Sequence, residues 1–303
     1  MTLRTMGKWM TAALVTAGLV AAVARAAEPY AREVAQWREE RVAKLTKPDG
    51  WLTLVGLHFL KPGANTVGRA AGNDVVLAAG PARVGTVTVD AAGKVTLAVD
   101  GAAAAEVRID GKAERSTELK WEAVASPTLV TSGTMTFFAI ERGGKKALRV
   151  KDSAAERRTK FAGLEYFPVD PSWRIEARWE PFEKLRMVPV TSILGQTSME
   201  LAAGKAIFER DGKRFELLAI DEGPEAPLFF VITDETAGKE TYGGGRHLYA
   251  ARPAGKTIVL DFNRAENPPC AFTPFSTCPV PPKDHRLPFA LRVGEKTYRA
   301  TVE

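Results

Sequence analysis

From Trp51 onward, apolar residues recur at every second position in runs of five to eight, and each run ends in turn residues. The stretch VGTVTVDAAGKVTLAVDG holds two alternating runs around Ala91-Ala92-Gly93-Lys94, and GTMTFFAIERGGKKALRVKD repeats the design around Gly143-Gly144. A period of two puts successive side chains on opposite faces of a strand, so both stretches read as β-hairpins. Further strands are expected at Trp173 to Trp179, Lys205 to Arg210, Phe215 to Ile220, Leu228 to Thr233 and Thr257 to Phe262, with a final hairpin across Gly294-Glu295. Asp211-Gly212 turns the second of these into the third. Many short strands with few long helical patterns predict a mainly β protein of antiparallel sandwich or barrel type.

One helix is expected ahead of the strands. YAREVAQWREERVAKL spaces Tyr30, Val34, Trp37 and Leu45 at helical intervals with charges between them, an amphipathic stripe that packs on the domain behind it. Before it, Arg4 and Lys8 precede an apolar run from about Met10 to Val23, and Ala24-Arg25-Ala26 follows. That order predicts a signal peptide over 1–26, cleaved after Ala26, and an exported, periplasmic protein with no stable membrane insertion once the leader is gone. Cleavage leaves 277 of the 303 residues and lowers the formal charge from +6 to +3, because the leader carries three cations and no acid. A nearly balanced chain without a basic run or nucleic-acid motif excludes nucleic acid as an expected partner. The organisation expected is a helix over 27–48, a β-sandwich-like domain over 49–165 and a second β-rich domain over 166–303. The boundary falls in KDSAAERRTKFAGLEYFPVDPSW, the least strand-like interior stretch.

Four stretches could carry chemistry. In GANTVGRAAGNDVVL, a Gly-Arg pair after a strand resembles the opening of a forkhead-associated domain, although no Ser-x-x-His follows to complete a phosphopeptide reader. RVKDSAAERRTKFAGLEYFP gathers Arg149, Lys151, Arg157, Arg158 and Lys160 beside Phe161 and Tyr166, a group suited to an anionic or sugar ligand. KETYGGGRHLYA sets three glycines before Arg246 and His247, which by alternation point to opposite faces, so one of the two can face a shared pocket. The fourth, LDFNRAENPPCAFTPFSTCPVPPKDHRLP, packs seven of the chain's nineteen prolines into 21 residues and excludes regular helix or central strand there.

The stretches WLTLVGLHFL, NDVVL, FAGLEYFPVDPSW, KETYGGGRHLY and DFNRAENPPCAFTPFSTCPVPPKDHRLP together resemble the domain-of-unknown-function 1684 family over nearly the whole mature chain. The resemblance implies a relation and no mechanism. The family pattern often has Tyr where this chain has Glu266 and Asn where it has His285.

Cys270 and Cys278 are the only cysteines, and in an oxidising compartment their expected state is a disulfide that pins the proline-rich loop. Seven residues between them is wider than a structural zinc pair, and no second pair exists, so no metal and no cofactor is expected. No G-x-S-x-G or H-E-x-x-H pattern is present. The expected site lies in the C-terminal half, where Tyr242, Arg246, Asp261, Asn263 and Asn267 bind a small polar molecule or glycan beside the loop. One alternative is a carboxylate-dependent hydrolase at the same place, with Asp261 and Glu266 as catalytic candidates and Glu240 nearby. Another is an envelope scaffold that binds protein.

Overall fold

The computed structural model describes residues 28–121 and 126–299, so the signal peptide expected over 1–26 lies outside the described residues. The fold is mainly β, as the alternation requires. Helix α1 spans 28–45. Ten strands follow: β1 (Leu54–Phe59), β2 (Gly63–Gly68), β3 (Val75–Val76), β4 (Gly85–Val89), β5 (Val95–Val99), β6 (Arg108–Ile109), β7 (Ser116–Glu118), β8 (Val130–Ser132), β9 (Met135–Arg142) and β10 (Lys145–Asp152). They form two five-stranded sheets, β1-β10-β9-β8-β6 and β3-β2-β4-β5-β7, antiparallel except where β2 meets β3. Val67, Val87, Leu97, Ile109, Phe137 and Leu148 from both sheets fill the layer between them. The two expected hairpins are β4–β5 and β9–β10, and the second turns through Gly143 and Gly144 at φ of 57° and 73°. Only glycine adopts consecutive angles of that sign freely.

After the short helix α2 (Glu156–Thr159) comes a six-stranded antiparallel sheet ordered β15-β14-β13-β12-β11-β16. Its members are β11 (Arg174–Thr191), β12 (Thr197–Arg210), β13 (Lys213–Asp221), β14 (Leu228–Ile232), β15 (Arg246–Ala250) and β16 (Thr257–Asp261). The turn from β12 to β13 is the expected Asp211-Gly212, at φ of 51° and 70°. The edge strand β15 meets the chain just beyond β16 through a His247–Glu266 bridge, so the sheet curls toward closure as a half-barrel. One face buries Leu217, Leu228, Phe230, Leu248, Leu260 and Phe262 with Leu287, Leu291 and Val293 from the C-terminal segment.

Two features depart from expectation. β11 and β12 run well beyond the expected Trp173 to Trp179 and Lys205 to Arg210, as a long ribbon with a register shift between Pro181 and Arg186. Among the described residues, the hairpin across Gly294-Glu295 does not form. Glu295 makes only an isolated bridge with Tyr166, and its side chain is drawn fully inside to pair with Arg41 at 2.9 Å. A buried carboxylate needs a cation more than its backbone needs a second strand.

Candidate functional site

A cavity of about 580 Å³ lies between the first sandwich and the six-stranded sheet. Its floor is the sheet face opposite the apolar core: Leu218 and Ile220 of β13, Phe229 and Val231 of β14, His247 and Tyr249 of β15. The β9–β10 hairpin contributes Arg142, Gly143 and Arg149, and the proline-rich loop contributes the wall from Ser276 to Val280 with Pro282 and His285.

Three sets of contacts make that loop a wall. The Arg142 guanidinium donates to Thr277 at 3.0 Å, tying it to the sandwich. Ile193 N–H donates to the Cys278 carbonyl and Val280 N–H to the Thr191 carbonyl, each at 2.9 Å, tying it to the tip of the β11–β12 ribbon. Gly245, at φ of 90°, lies so close that a Cβ there would sit 2.5 Å from Pro281. The chain that the glycine triplet lets approach is thus the protein's own proline loop.

Of Arg246 and His247, the one that faces the cavity is His247. Arg246 points to the other side, only 1% exposed, where its guanidinium pairs with Asp234 at 2.9 Å and donates to the carbonyls of Leu291 and Val293. It holds the C-terminal segment on the sheet. The rest of the expected cluster is also engaged in packing, and none of its five residues lines the cavity. Tyr242 OH donates to the Cys270 carbonyl at 3.2 Å. Asp261 accepts from Tyr30 OH at 2.6 Å and from Asn263 N–H at 3.2 Å, so it fastens α1 and caps the turn after β16. Asn263 exchanges hydrogen bonds with the backbone of Asp170, and Asn267 donates to the Lys296 carbonyl. Alternation on β15 identified the choice between two residues; the sign of the choice depended on Asp234, thirteen positions from His247 and invisible to a local pattern.

Glu266 does reach the cavity. It is His247's bridge partner, and Arg41 of α1 holds its carboxylate at 3.2 Å while also pairing with Glu295. Burial, opposed by Arg41 and reinforced by Glu295, pushes the Glu266 carboxyl up to about 7. Burial, reinforced by Arg41, pushes His247 down to about 3. Its Nε2 is buried with no hydrogen-bond partner among the described residues. The site therefore offers a neutral imidazole with an open nitrogen beside a carboxyl group that exchanges its proton near neutrality.

His285 has a different duty. β13 and β14 pair only at Ile220–Phe229 and Asp221–Leu228, then diverge. The imidazole bridges the gap: Nε2 accepts from Leu218 N–H at 2.7 Å and Nδ1 lies 2.8 Å from the Val231 carbonyl. An accepting Nε2 fixes the neutral tautomer with its proton on Nδ1, and burial lowers the ring's pKa accordingly.

Other expected groups are spread out. Arg149 reaches the cavity and stacks over Trp51 at 5.4 Å, whereas Arg158 donates to the backbone of Thr46 and Ser153. Arg69 and Asn73 brace their own loop through the carbonyls of Gly80 and Ala82. Cys270 and Cys278 are separate thiols in close contact: each backbone N–H donates to the other's sulfur, at 3.2 and 3.1 Å. Among the described residues no cluster of His, Cys, Asp and Glu could hold a metal ion, and no helix is long and apolar enough to cross a membrane.

Fold and site together define a mainly β protein with a walled cavity on its half-barrel sheet. Residues 159–296 match the family model described as Protein of unknown function (DUF1684), and the chain belongs to that family. It is also similar to the solution structure of an uncharacterized protein of Haloarcula marismortui, 32% identical over 47% of this chain and 80% of that one, with a TM-score of 0.40. No curated protein matches the chain.

Proposed function

We propose that the protein binds a small polar molecule or glycan in the cavity between the sandwich and the six-stranded sheet, as an exported protein whose cysteines pair in the cavity wall. The observation that carries this reading is the buried Nε2 of His247, which lines the cavity and lacks a hydrogen-bond partner among the described residues. A buried polar atom left open costs free energy that a ligand hydroxyl or amide donor would recover. A volume of about 580 Å³ suits a ligand of one to three rings, and a mixed lining of aromatic, cationic and carboxylate side chains suits a polar one.

A library of sugars, amino acids and nucleosides screened by ligand-observed NMR tests this. Compounds that bind the wild type and fail to bind a folded His247→Phe protein are the expected result. Binders indifferent to both His247→Phe and Glu266→Gln would remove the cavity from the reading.

A second reading, a carboxylate-dependent hydrolase at the same place, has its own support in Glu266, whose proton is exchangeable near neutral pH beside a neutral imidazole. General acid–base chemistry needs groups with that property. Turnover of a chromogenic glycoside or ester, lost in a folded Glu266→Gln protein, is the outcome that favours it over binding alone.

A further inference from the structure

Against the first cavity lies a second, of about 590 Å³, formed by α1, the Lys47–Trp51 turn and Lys151. Four residues line both: Arg41, Trp51, Tyr249 and Glu266. Arg41 and Glu266 are paired with each other. Trp51 and Tyr249 are 37% and 38% exposed, a large fraction for aromatic rings on the wall of a cavity. The two chambers differ in charge. The first mixes Arg142 and Arg149 with Glu141, Glu200 and Glu222. The second, apart from the shared pair, sets Lys44, Lys47 and Lys151 against the single carboxylate of Asp49, and Lys44 and Lys47 are exposed.

Resting on the reading of the first cavity as a ligand site, we propose that the two chambers form one site for an extended acidic oligosaccharide. Its rings stack on Trp51 and Tyr249 at the junction, and its anionic end reaches Lys44 and Lys47. Pyranose rings present apolar C–H faces to aromatic rings and hydroxyls to charged groups, which is the alternation the lining offers. A molecule confined to the first chamber leaves the lysines unused, and a neutral chain gains nothing from them. An extended peptide fits less well, because it would add to a free strand edge and the β15 edge beside the cavity is already paired at His247 by Glu266.

The test is calorimetric titration of the full mature chain with trigalacturonic acid, its methyl ester and monomeric galacturonic acid. The expected order places the acidic trisaccharide about tenfold or more tighter than either comparison compound, tenfold corresponding to about 1.4 kcal/mol. The exposed pair Lys44→Ala and Lys47→Ala is expected to erase the preference for acid over ester. Trp51→Ala is expected to weaken both trisaccharides alike. Equal affinity for acid and ester overturns the anionic end. A monomer that binds as tightly as the trisaccharide, and loses binding in His247→Phe, overturns the two-chamber site while the proposed function stands. Failure of all three compounds overturns the saccharide class, and the library screen described above then shows independently whether the first cavity binds anything.

Discussion

His247 and Glu266 are opposite partners in one antiparallel bridge, each N–H donating to the other's carbonyl at 2.9 Å. Residues so opposed carry their side chains on the same face of the sheet. Imidazole and carboxyl are thereby set side by side on the cavity floor by backbone geometry, before any side-chain contact is made. Burial then acts on both in the same chemical sense, toward the neutral form, and so moves their pKa values in opposite directions.

That opposition has a readout in stability. The Glu266 carboxyl keeps its proton in the native state up to about pH 7, whereas the unfolded chain releases it near 4.5, so this group favours folding below 4.5 and loses that contribution as pH rises to 7. His247 works in reverse: the unfolded chain binds a proton below 6.5 and the native state only near 3, so its contribution is full above 6.5 and is lost as pH falls to 3. Between 4.5 and 6.5 the two slopes oppose each other. Urea unfolding of wild type and Glu266→Gln at several pH values isolates the first term, because the slopes of His58, His247 and His285 cancel in the difference. The difference is expected to change by roughly 3 kcal/mol between pH 4.5 and 7, with wild type losing ground as pH rises. A difference independent of pH would remove the perturbed carboxyl from the site.

Arg41 is the positioning residue of this pair. Buried on α1, it holds Glu266 at 3.2 Å and Glu295 at 2.9 Å and donates to the Asn267 carbonyl at 2.8 Å. Arg41→Met leaves the fully buried Glu295 without its cation, and a loss of roughly 3–5 kcal/mol is expected in urea unfolding. Because the Arg41 charge lowers the Glu266 pKa, its removal raises that pKa above 7, which a carboxyl-carbon NMR titration detects. A downward movement would assign the perturbation to another group.

Much of the scaffold was legible because strands that bury one face against a core alternate apolar and polar residues between glycine turns: β4–β5, β9–β10 and the Asp211-Gly212 turn fall where the pattern puts them. The outer part of the β11–β12 ribbon was not, since Leu185, Met187, Met199 and Leu201 are exposed apolar residues and Pro181 and Pro189 interrupt the run. The site was legible in part. Glu266, His247 and the proline wall were singled out from their stretches, but the expected ligand cluster centred on Arg246 and Asp261, whose charges are absorbed by Asp234, Tyr30 and Arg264. Arg41 was missed. It lies in a helix with the ordinary charge pattern of a solvated face, and its two carboxylate partners are more than 220 residues away.

His285 tests the distinction between wall and chemistry. Its ring supplies one acceptor to Leu218 and one donor to Val231, a service a side-chain amide also performs. His285→Asn is therefore expected to lose about 1 kcal/mol or less. His285→Leu strands both backbone groups and is expected to lose roughly 2–4 kcal/mol. Thermal and urea unfolding of the two variants check this, and equal losses would mean that volume rather than hydrogen bonding sets the role.

The cysteine pair gives the sharpest chemical expectation. Cys278 acts as a donor to Cys270 and holds that thiol well below the usual thiol range, while the same contact and burial push Cys278 up. A thiolate in contact with a thiol is the reactant arrangement for a disulfide, which forms when an oxidant such as oxidised glutathione accepts two electrons and the two thiol protons leave. Reduced protein is expected to alkylate faster at Cys270 than at Cys278. After oxidised glutathione, the denatured chain is expected to show no free thiol, and closing so short a loop stabilises the fold by roughly 2.5 kcal/mol in the chain-entropy model. Because Ser276 to Val280 form the cavity wall and hang from the β11–β12 ribbon through Ile193 and Val280, the bond stiffens the wall rather than the core. Ligand dissociation is accordingly expected to slow on oxidation. Two thiols that survive oxidised glutathione in the folded protein would show that the loop holds its shape through the N–H···S contacts alone.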